Sequence, residues 1–508
     1  MIQAGDSLAL WLQLLFPAAC GVAVFAIPRR RLGTALLAVS SALHLCITAF
    51  FWFVPRRELA LEGWLALDEI GRLFLGIVSV LFAAAAAYVV GYLSHHRLLA
   101  LQNAQGDKAA AASAAERSER IFISSLLFFL STMTLVTFCQ HFELLWVAIE
   151  ATTLASAPLV YFHRGPHALE ATWKYLVICS FGIALALLGN FLLSIAAPAH
   201  AGGALTVSSL LSRAALLDRA WLKAAFIFLF VGYGTKMGLA PLHTWLPDAH
   251  SEAPSAVSSL LSGALLSCAF VGILRAFHVC VAAGLGSFAQ GILVTFGLIS
   301  MGFAAVFIIR QQDYKRMLAY SSVEHMGVLS LSVGLGGAAV FAGMLHAIGH
   351  ALIKAMLFLV AGNILIAYHT KSAKAVRGVL RALPASGVLW FLGLFAITGF
   401  PPFGLFTSEF LILRFALERG RYGVAIPYLL FLSLIFIGMA SVSLPMLLGE
   451  PQGAAKTHVP REWRWSILPP VALAFLALAL GPHIPPFLKA RIDAIAVELN
   501  TGVPGGAK

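Results

Sequence analysis

Apolar runs of about 20 residues, each long enough to cross a hydrocarbon layer as a helix, recur along almost the whole 508-residue chain. Fourteen can be marked, at 8–27, 32–54, 70–93, 121–140, 142–162, 171–195, 221–241, 255–276, 287–309, 317–338, 340–368, 384–410, 424–448 and 466–484. In lipid no water satisfies a backbone N–H or C=O, so a run of this length has to close its hydrogen bonds within itself, as a helix does. The expectation is an all-α integral membrane protein with about 14 transmembrane helices. Composition agrees: 60% of residues are hydrophobic and 11% charged, whereas soluble domains carry roughly a quarter charged residues.

Lys and Arg set the orientation. The loops after runs 1, 3, 5, 9, 11 and 13 hold Arg29 to Arg31, Arg97 to Arg120, Arg164, Arg310 to Arg316, Lys371 to Arg381 and Lys456 to Arg464, more basic residues than the opposite side. Those loops are expected in the cytoplasm and both termini outside, in a bacterial cytoplasmic membrane. The first run has no basic segment before it and carries its arginines behind it, as an anchor does rather than a removable signal. The net charge of +12 then faces anionic headgroups, and no nucleic-acid partner is expected. Six cysteines scattered through apolar runs without a C-x-x-C spacing argue against an iron–sulfur, zinc or disulfide framework. No cofactor, metal or catalytic group is expected in this chain.

Organisation follows from the interruptions. The stretch from His95 to Arg120 reads as a cytoplasmic linker, closing an N-terminal three-helix region at 1–120. Two blocks of five runs follow, at 121–276 and 287–448, and 449–508 holds the last helix and a short interfacial tail. Each block has one interrupted run at the same ordinal place, broken at Lys236 to Pro241 and at Gly399 to Gly404. An odd number of spans per block inverts the second block relative to the first, and paired broken helices then mark a transport site.

Ionisable residues inside apolar runs are costly and therefore functional candidates. Glu150 and Glu324 each lie about eight residues into their runs, roughly 12 Å along a helix. Lys236 and Glu409 flank the two breaks. His346, His350 and Lys354 stand at i, i+4 and i+8 on one helical face. Glu150, Lys236, His346, His350, Lys354 and Glu409, with His243, His250, Glu324 and His325 as further positions, form a row of groups able to accept and release protons, because burial moves carboxyl and ammonium groups toward neutrality. A Glu150–Lys236 pair would act as a switch: separating the partners makes each easier to neutralise.

Plainer readings stand beside these. Glu150 and Lys236 could form a static ion pair that fixes helix packing. Glu143 reads as an interfacial residue, Glu170 and Lys174 as a surface i, i+4 pair. His243, Asp248 and His250 could be loop caps, and Asp313, Lys315 and Arg316 a positive-inside stop. His346 and His350 resemble half a zinc site, but the glutamate of H-E-x-x-H is missing and no third ligand is placed.

Four segments carry a resemblance to a known family: Trp146 to Glu150, Lys236-Met237 to Pro254, Asp313 to Arg316 with Ala319 to Ser322, and His346 to Gly362. They are similar to the antiporter-like, proton-translocating membrane subunits of respiratory complex I and group 4 hydrogenases. Trp146 to Ser156, Glu170 to Tyr175 and Leu260 to Gly263 look most similar to hydrogenase-4 component F. The resemblance implies inverted five-helix repeats and a path through Glu150, Lys236, Lys354 with its histidines, and Glu409. It also implies other membrane subunits and a peripheral redox arm as partners, with iron–sulfur clusters or a nickel–iron centre in the partners alone. Two departures matter. Run 8 offers Ser262 and Ser267 where complex I subunits often have Lys or His, which leaves the link between half-channels to water or to Lys354. Glu409 stands where a terminal complex I subunit has lysine, and no long lateral helix follows run 14, so an internal place in a multi-subunit arm fits better. A cation/proton antiporter or an ion-coupled inorganic-carbon uptake module is the competing function, and an autonomous solute carrier a third.

Overall fold

The computed structural model describes residues 3–27, 29–54, 59–102, 108–197, 205–452, 455 and 462–502. Lys456 and the end of the tail beyond 502 lie outside the described residues. The N-terminal helices are α1 (Gln3–Ala26), α2 (Arg30–Phe53), α3 (Glu69–Gln102), α4 (Lys108–Phe138), α5 (Phe142–Val160), α6 (Pro166–Ala196) and the short α7 (Val207–Ser212). Next come α8 (Arg219–Met237), α9 (Trp245–Glu252), α10 (Ser255–Leu260), α11 (Leu266–Ala282), α12 (Gly286–Ile308), α13 (Tyr314–Leu335) and α14 (Ala338–Tyr368). The chain ends with α15 (Val379–Ala382), α16 (Pro384–Ile397), α17 (Gly404–Glu418), α18 (Tyr422–Leu447), α19 (Arg464–Ala479) and α20 (Pro486–Thr501). Among the described residues the one β ribbon pairs Leu59–Ala60 antiparallel with Leu65–Ala66.

Helix covers the greater part of each apolar run. Among the described residues, ten helices are long and apolar enough to cross a membrane. The chain is a multi-pass membrane protein. α8 and α13, which bear buried lysine, glutamate and histidine, are too polar to be among the ten, and α16 and α19 are shorter apolar helices. The polar stretch after His95 is largely helical. α3 runs on to Gln102 and α4 starts at Lys108, because the Ala/Glu/Arg-rich sequence favours helix; residues 103–107 lie outside the described residues.

Both expected breaks are present. α8 ends at Met237 because Gly238 adopts φ 84, a left-handed cap glycine takes without strain. The second break separates Ile397 from Gly404, with Gly399 at φ 70. Each break contains one cis X–Pro bond, Ala240–Pro241 and Pro401–Pro402.

α11, α13 and α14 form the centre. Every residue from Ala253 to Cys280 is buried, as is every residue from Met317 to Gly334. A π turn over Leu261–Leu265 interrupts the ladder between α10 and α11. α1, α2, α6, α12, α18 and α19 turn apolar side chains outward. Small residues allow the closest helix pairs, as membrane packing favours. A Cβ at Gly232 of α8 would sit 2.6 Å from the backbone nitrogen of Ala186 in α6, and one at Gly327 of α13 would sit 2.7 Å from the Gly297 oxygen in α12. α20 buries Leu488, Ile492, Ile495 and Leu499 along one face, an amphipathic spacing. Its polar residues grip other helices: Arg491 reaches Glu69 at 2.7 Å, Glu498 reaches His278 at 3.3 Å, and Asn500 accepts from the Gly337 nitrogen at 2.7 Å.

Candidate functional site

Lys236 occupies the last turn of α8, just before the break, and is wholly buried. Its ammonium donates to Thr153 Oγ1 at 2.9 Å and to the Tyr175 hydroxyl at 2.7 Å. It also lies 4.4 Å from the centroid of the Tyr175 ring and 5.8 Å from that of Trp245, where the negative ring faces favour a cation. Trp245 in turn donates from Nε1 to the Thr235 carbonyl at 2.9 Å, tying α9 back onto α8 across the break.

The expected direct pair with Glu150 is absent. Thr153 stands between them, one turn along α5 from Glu150. Its hydroxyl donates to Glu150 Oε2 at 3.1 Å while accepting from Lys236. Ser180 of α6 donates to the other carboxylate oxygen at 2.7 Å. Glu150 is only half-buried, because α5 and α6 turn this face outward. The arrangement is a carboxylate, a hydroxyl and an ammonium in series, so a rotation of one threonine side chain joins or parts the charges.

The second set centres on α13 and α14. Lys354 Nζ donates to the Leu318 carbonyl at 2.7 Å, and Ser322 Oγ donates to the same oxygen at 3.1 Å. Ser322 Oγ lies 2.8 Å from Ser262 Oγ within the π turn, and the Ser262 carbonyl meets His350 Nε2 at 3.4 Å. The His350 and His325 rings are 4.9 Å apart. His325 Nδ1 lies 3.0 Å from His346 Nε2, and His346 Nδ1 lies 3.0 Å from Ser408 Oγ, next to Glu409. Glu324 accepts from Ser321 at 3.3 Å and sits 3.6 Å from His325 Nε2. A near-continuous polar row therefore runs from Lys354 to Glu409, through groups that are all buried.

Among the described residues no side-chain hydrogen bond joins the Lys236 set to the Lys354 set. Ser267 is turned back onto its own helix, donating to Gly263 O, so of the two run-8 serines only Ser262 enters the row. His325, His346 and Glu409 offer ligand atoms within 4.8 Å of one another, so these three, and not the His346–His350 pair, could hold a metal ion. The third ligand that the sequence did not place comes from another helix.

His243 and His250 are buried and cap nothing. His243 packs its ring against Phe303 and Tyr320, and His250 stacks on Phe358 at 5.0 Å with Lys315 and Lys354 as its charged neighbours. Asp248 is no cap either; it receives Lys174 at 3.0 Å and Arg316 at 2.7 Å. Lys174 and Glu170 do pair on the surface, at 2.7 Å. Reading Lys315 as a positive-inside stop is corrected by its burial: its ammonium bonds the Ser251 and Ala253 carbonyls at 3.3 and 2.6 Å, closing the end of α9. Asp313 caps α13 through the Lys315 and Arg316 nitrogens.

The membrane-domain model described as NADH:quinone oxidoreductase/Mrp antiporter matches residues 139–447. The chain belongs to this family. The span of the match contains every candidate residue above, whereas α1 to α4, α19 and α20 lie outside it. This family member is 39% identical over 362 residues to a hydrogenase-4 component F homologue of Methylacidiphilum infernorum (isolate V4), covering 70% of this chain and 74% of that protein. Its fold matches a chain of the Mrp complex from Dietzia sp. DQ12-45-1b with a TM-score of 0.83 at 19% identity, covering 98% of each. It also matches a chain of the membrane-bound sulfane sulfur reductase, an archaeal respiratory membrane complex, with a TM-score of 0.80 at 20% identity, covering 96% of this chain and 98% of that one.

Several residues of this family member's site carried no signal in sequence. Thr153, Tyr175, Ser180, Ser322 and Ser408 are ordinary residues of apolar helices until their neighbours are known. The i+3 spacing of Thr153 from Glu150 was the only local clue. His44 was missed as well; it bonds Ser79 at 3.0 Å and Thr134 at 2.9 Å inside the N-terminal helices, away from the row.

Proposed function

We propose that this chain is an antiporter-like membrane subunit that moves protons through Glu150, Lys236, Lys354, His350, His325, His346 and Glu409, driven by redox chemistry in partner subunits. The observation that carries this is the buried polar row from Lys354 to Glu409, which offers a transferable proton or a lone pair at each step. In this reading the blocks 121–276 and 287–448 are inverted repeats of a 14-helix fold, following a three-helix region at 1–120 and leaving 449–508 as last helix and tail. Their broken helices hold Lys236 and Glu409. Both termini face outside a bacterial cytoplasmic membrane. The 39% identical relative supports a hydrogenase-4-type assembly of several membrane subunits with a peripheral redox arm, whose clusters or nickel–iron centre lie in the partners.

Glu150 sets the charge on Lys236 through Thr153. When the threonine hydroxyl turns away, Lys236 loses its screened counter-charge and gives up a proton toward Lys354. Water has to complete that step, since no side chain bridges the two sets among the described residues. From Lys354 the proton passes by Ser322, Ser262 and the histidines to Glu409. A cation/proton antiporter is the second reading, favoured by the fold match to the Mrp complex chain.

The test is proton pumping by the reconstituted complex carrying Lys236→Ala. Alanine keeps the helix but carries no proton, so pumping is expected to collapse with assembly intact. Lys236→Arg is expected to fail too, because guanidinium does not release its proton at accessible pH. Normal pumping by either variant would overturn the path.

A further inference from the structure

We propose that His325, His346 and Glu409, with Glu324 as a second carboxylate, form a binding site for a divalent transition-metal cation such as zinc, and that an ion bound there blocks the polar row. The inference deepens the reading of this row as a proton path and rests on it for the blocking, though not for the binding.

Three helices deliver the ligands: His325 and Glu324 from α13, His346 from α14 and Glu409 from α17. One ligand atom from each of His325, His346 and Glu409 lies within 4.8 Å of the other two. A tetrahedral zinc ion with bonds of about 2.0–2.2 Å holds its ligands about 3.3–3.6 Å apart, so side-chain adjustments of about an ångström close the site. Glu324 Oε2 already lies 3.6 Å from His325 Nε2, at that ligand–ligand spacing.

In this buried place Glu409 Oε1 has no hydrogen-bond partner, and His325 Nε2 has no close one, with the Glu324 carboxylate at 3.6 Å and the Ile397 backbone beside the ring. Such atoms are costly unless something satisfies them, and a cation bonded to both would do so. The other carboxylate oxygen of Glu409 lies close against the break, where a Cβ at Gly399 would collide with it. Ser408 Oγ at 3.0 Å from His346 Nδ1 orients that ring as an outer-shell partner does.

Charge and ligand chemistry select the ion. Two carboxylates neutralise a dication, which a low-dielectric site requires. Imidazole suits zinc and its neighbours, whereas magnesium and calcium demand oxygen ligands. Coordination needs both imidazoles neutral and the carboxylates deprotonated. An ion in place therefore breaks the His325–His346 hydrogen bond and takes the last members of the row out of proton exchange.

The experiment measures zinc on the detergent-solubilised complex, with no membrane potential, so its outcome does not depend on whether the row pumps. The wild-type complex is expected to bind one equivalent more than complexes carrying His346→Gln, His325→Gln or Glu409→Gln, each checked for assembly by size exclusion. Zinc-edge X-ray absorption of that extra equivalent, taken as the difference between wild type and an assembled variant, is expected to show two imidazole nitrogens with oxygen ligands. Zinc content equal in wild type and all three variants, or an extra equivalent with sulfur or oxygen-only ligation, would overturn the site. In wild-type vesicles zinc is expected to lower proton flux at least tenfold at saturation, and chelation to restore it. Undiminished flux with the site filled would overturn the blocking while leaving the binding established, and the Lys236→Ala result then judges the path separately.

Discussion

At the scale of single residues, the link between the two charges of the first half is a threonine. Thr153 links Glu150 to Lys236 by one accepted and one donated hydrogen bond, so Thr153→Val keeps shape and removes both. Lys236 then keeps Tyr175 alone; losing one hydrogen bond to a charged group costs ~1.5–3 kcal/mol, and at 1.36 kcal/mol per tenfold change proton flux is expected to fall roughly ten- to a hundredfold. The fall should be seen in vesicles at normal assembly, and unchanged flux would mean that the threonine only packs. Glu150→Asp is expected to retain part of the flux and Glu150→Gln to lose it, because the amide has no charge to hold Lys236 protonated. The sequence exposed both charges as expensive residues in apolar runs, but not the hydroxyl between them. An intramembrane Lys or Glu is rare enough to stand out, whereas Thr153, Tyr175 and Ser322 resemble many other residues of buried helices until a neighbouring helix gives them partners.

At the scale of elements, close approach decides position. α6 carries Tyr175 and Ser180, α8 carries Lys236, and Gly232 sets the distance between the two helices. Gly232→Leu forces Ala186 and its backbone away, an overpacking cost of about 1–3 kcal/mol or more. Lower yield and a lower thermal midpoint of the complex are expected. Gly291→Leu on α12, where a Cβ meets nothing within 4 Å, is expected to leave both unchanged. Equal behaviour of the two variants would remove the packing argument. The breaks in α8 and between α16 and α17 were legible because Gly and Pro punctuate helices wherever they fall. The His325–His346–Glu409 cluster was not, since its members come from three helices and periodicity within one helix is silent about which faces meet.

At the scale of the whole molecule, the tail helix α20 fastens distant parts of the chain, with Arg491 on Glu69, Glu498 on His278 and Asn500 on Gly337. The larger pattern is a shell of lipid-facing helices around α11, α13 and α14. It has a consequence for how the protein is made. α13 bears Lys315, Arg316, Glu324 and His325, and it is not among the helices apolar enough to cross a membrane by themselves. Leaving the translocon as a lone segment, it would set those groups against acyl chains, at ~2.5–3.5 kcal/mol for each central charge. α12 emerges just before it, is strongly apolar, and meets it backbone to backbone at Gly297 and Gly327. The two are therefore expected to enter the bilayer together as a hairpin. A glycosylation-mapping assay in microsomes should find α13 poorly inserted alone and well inserted behind α12, with Gly327→Leu weakening the rescue; efficient insertion of α13 alone would show that it does not need α12 as a partner.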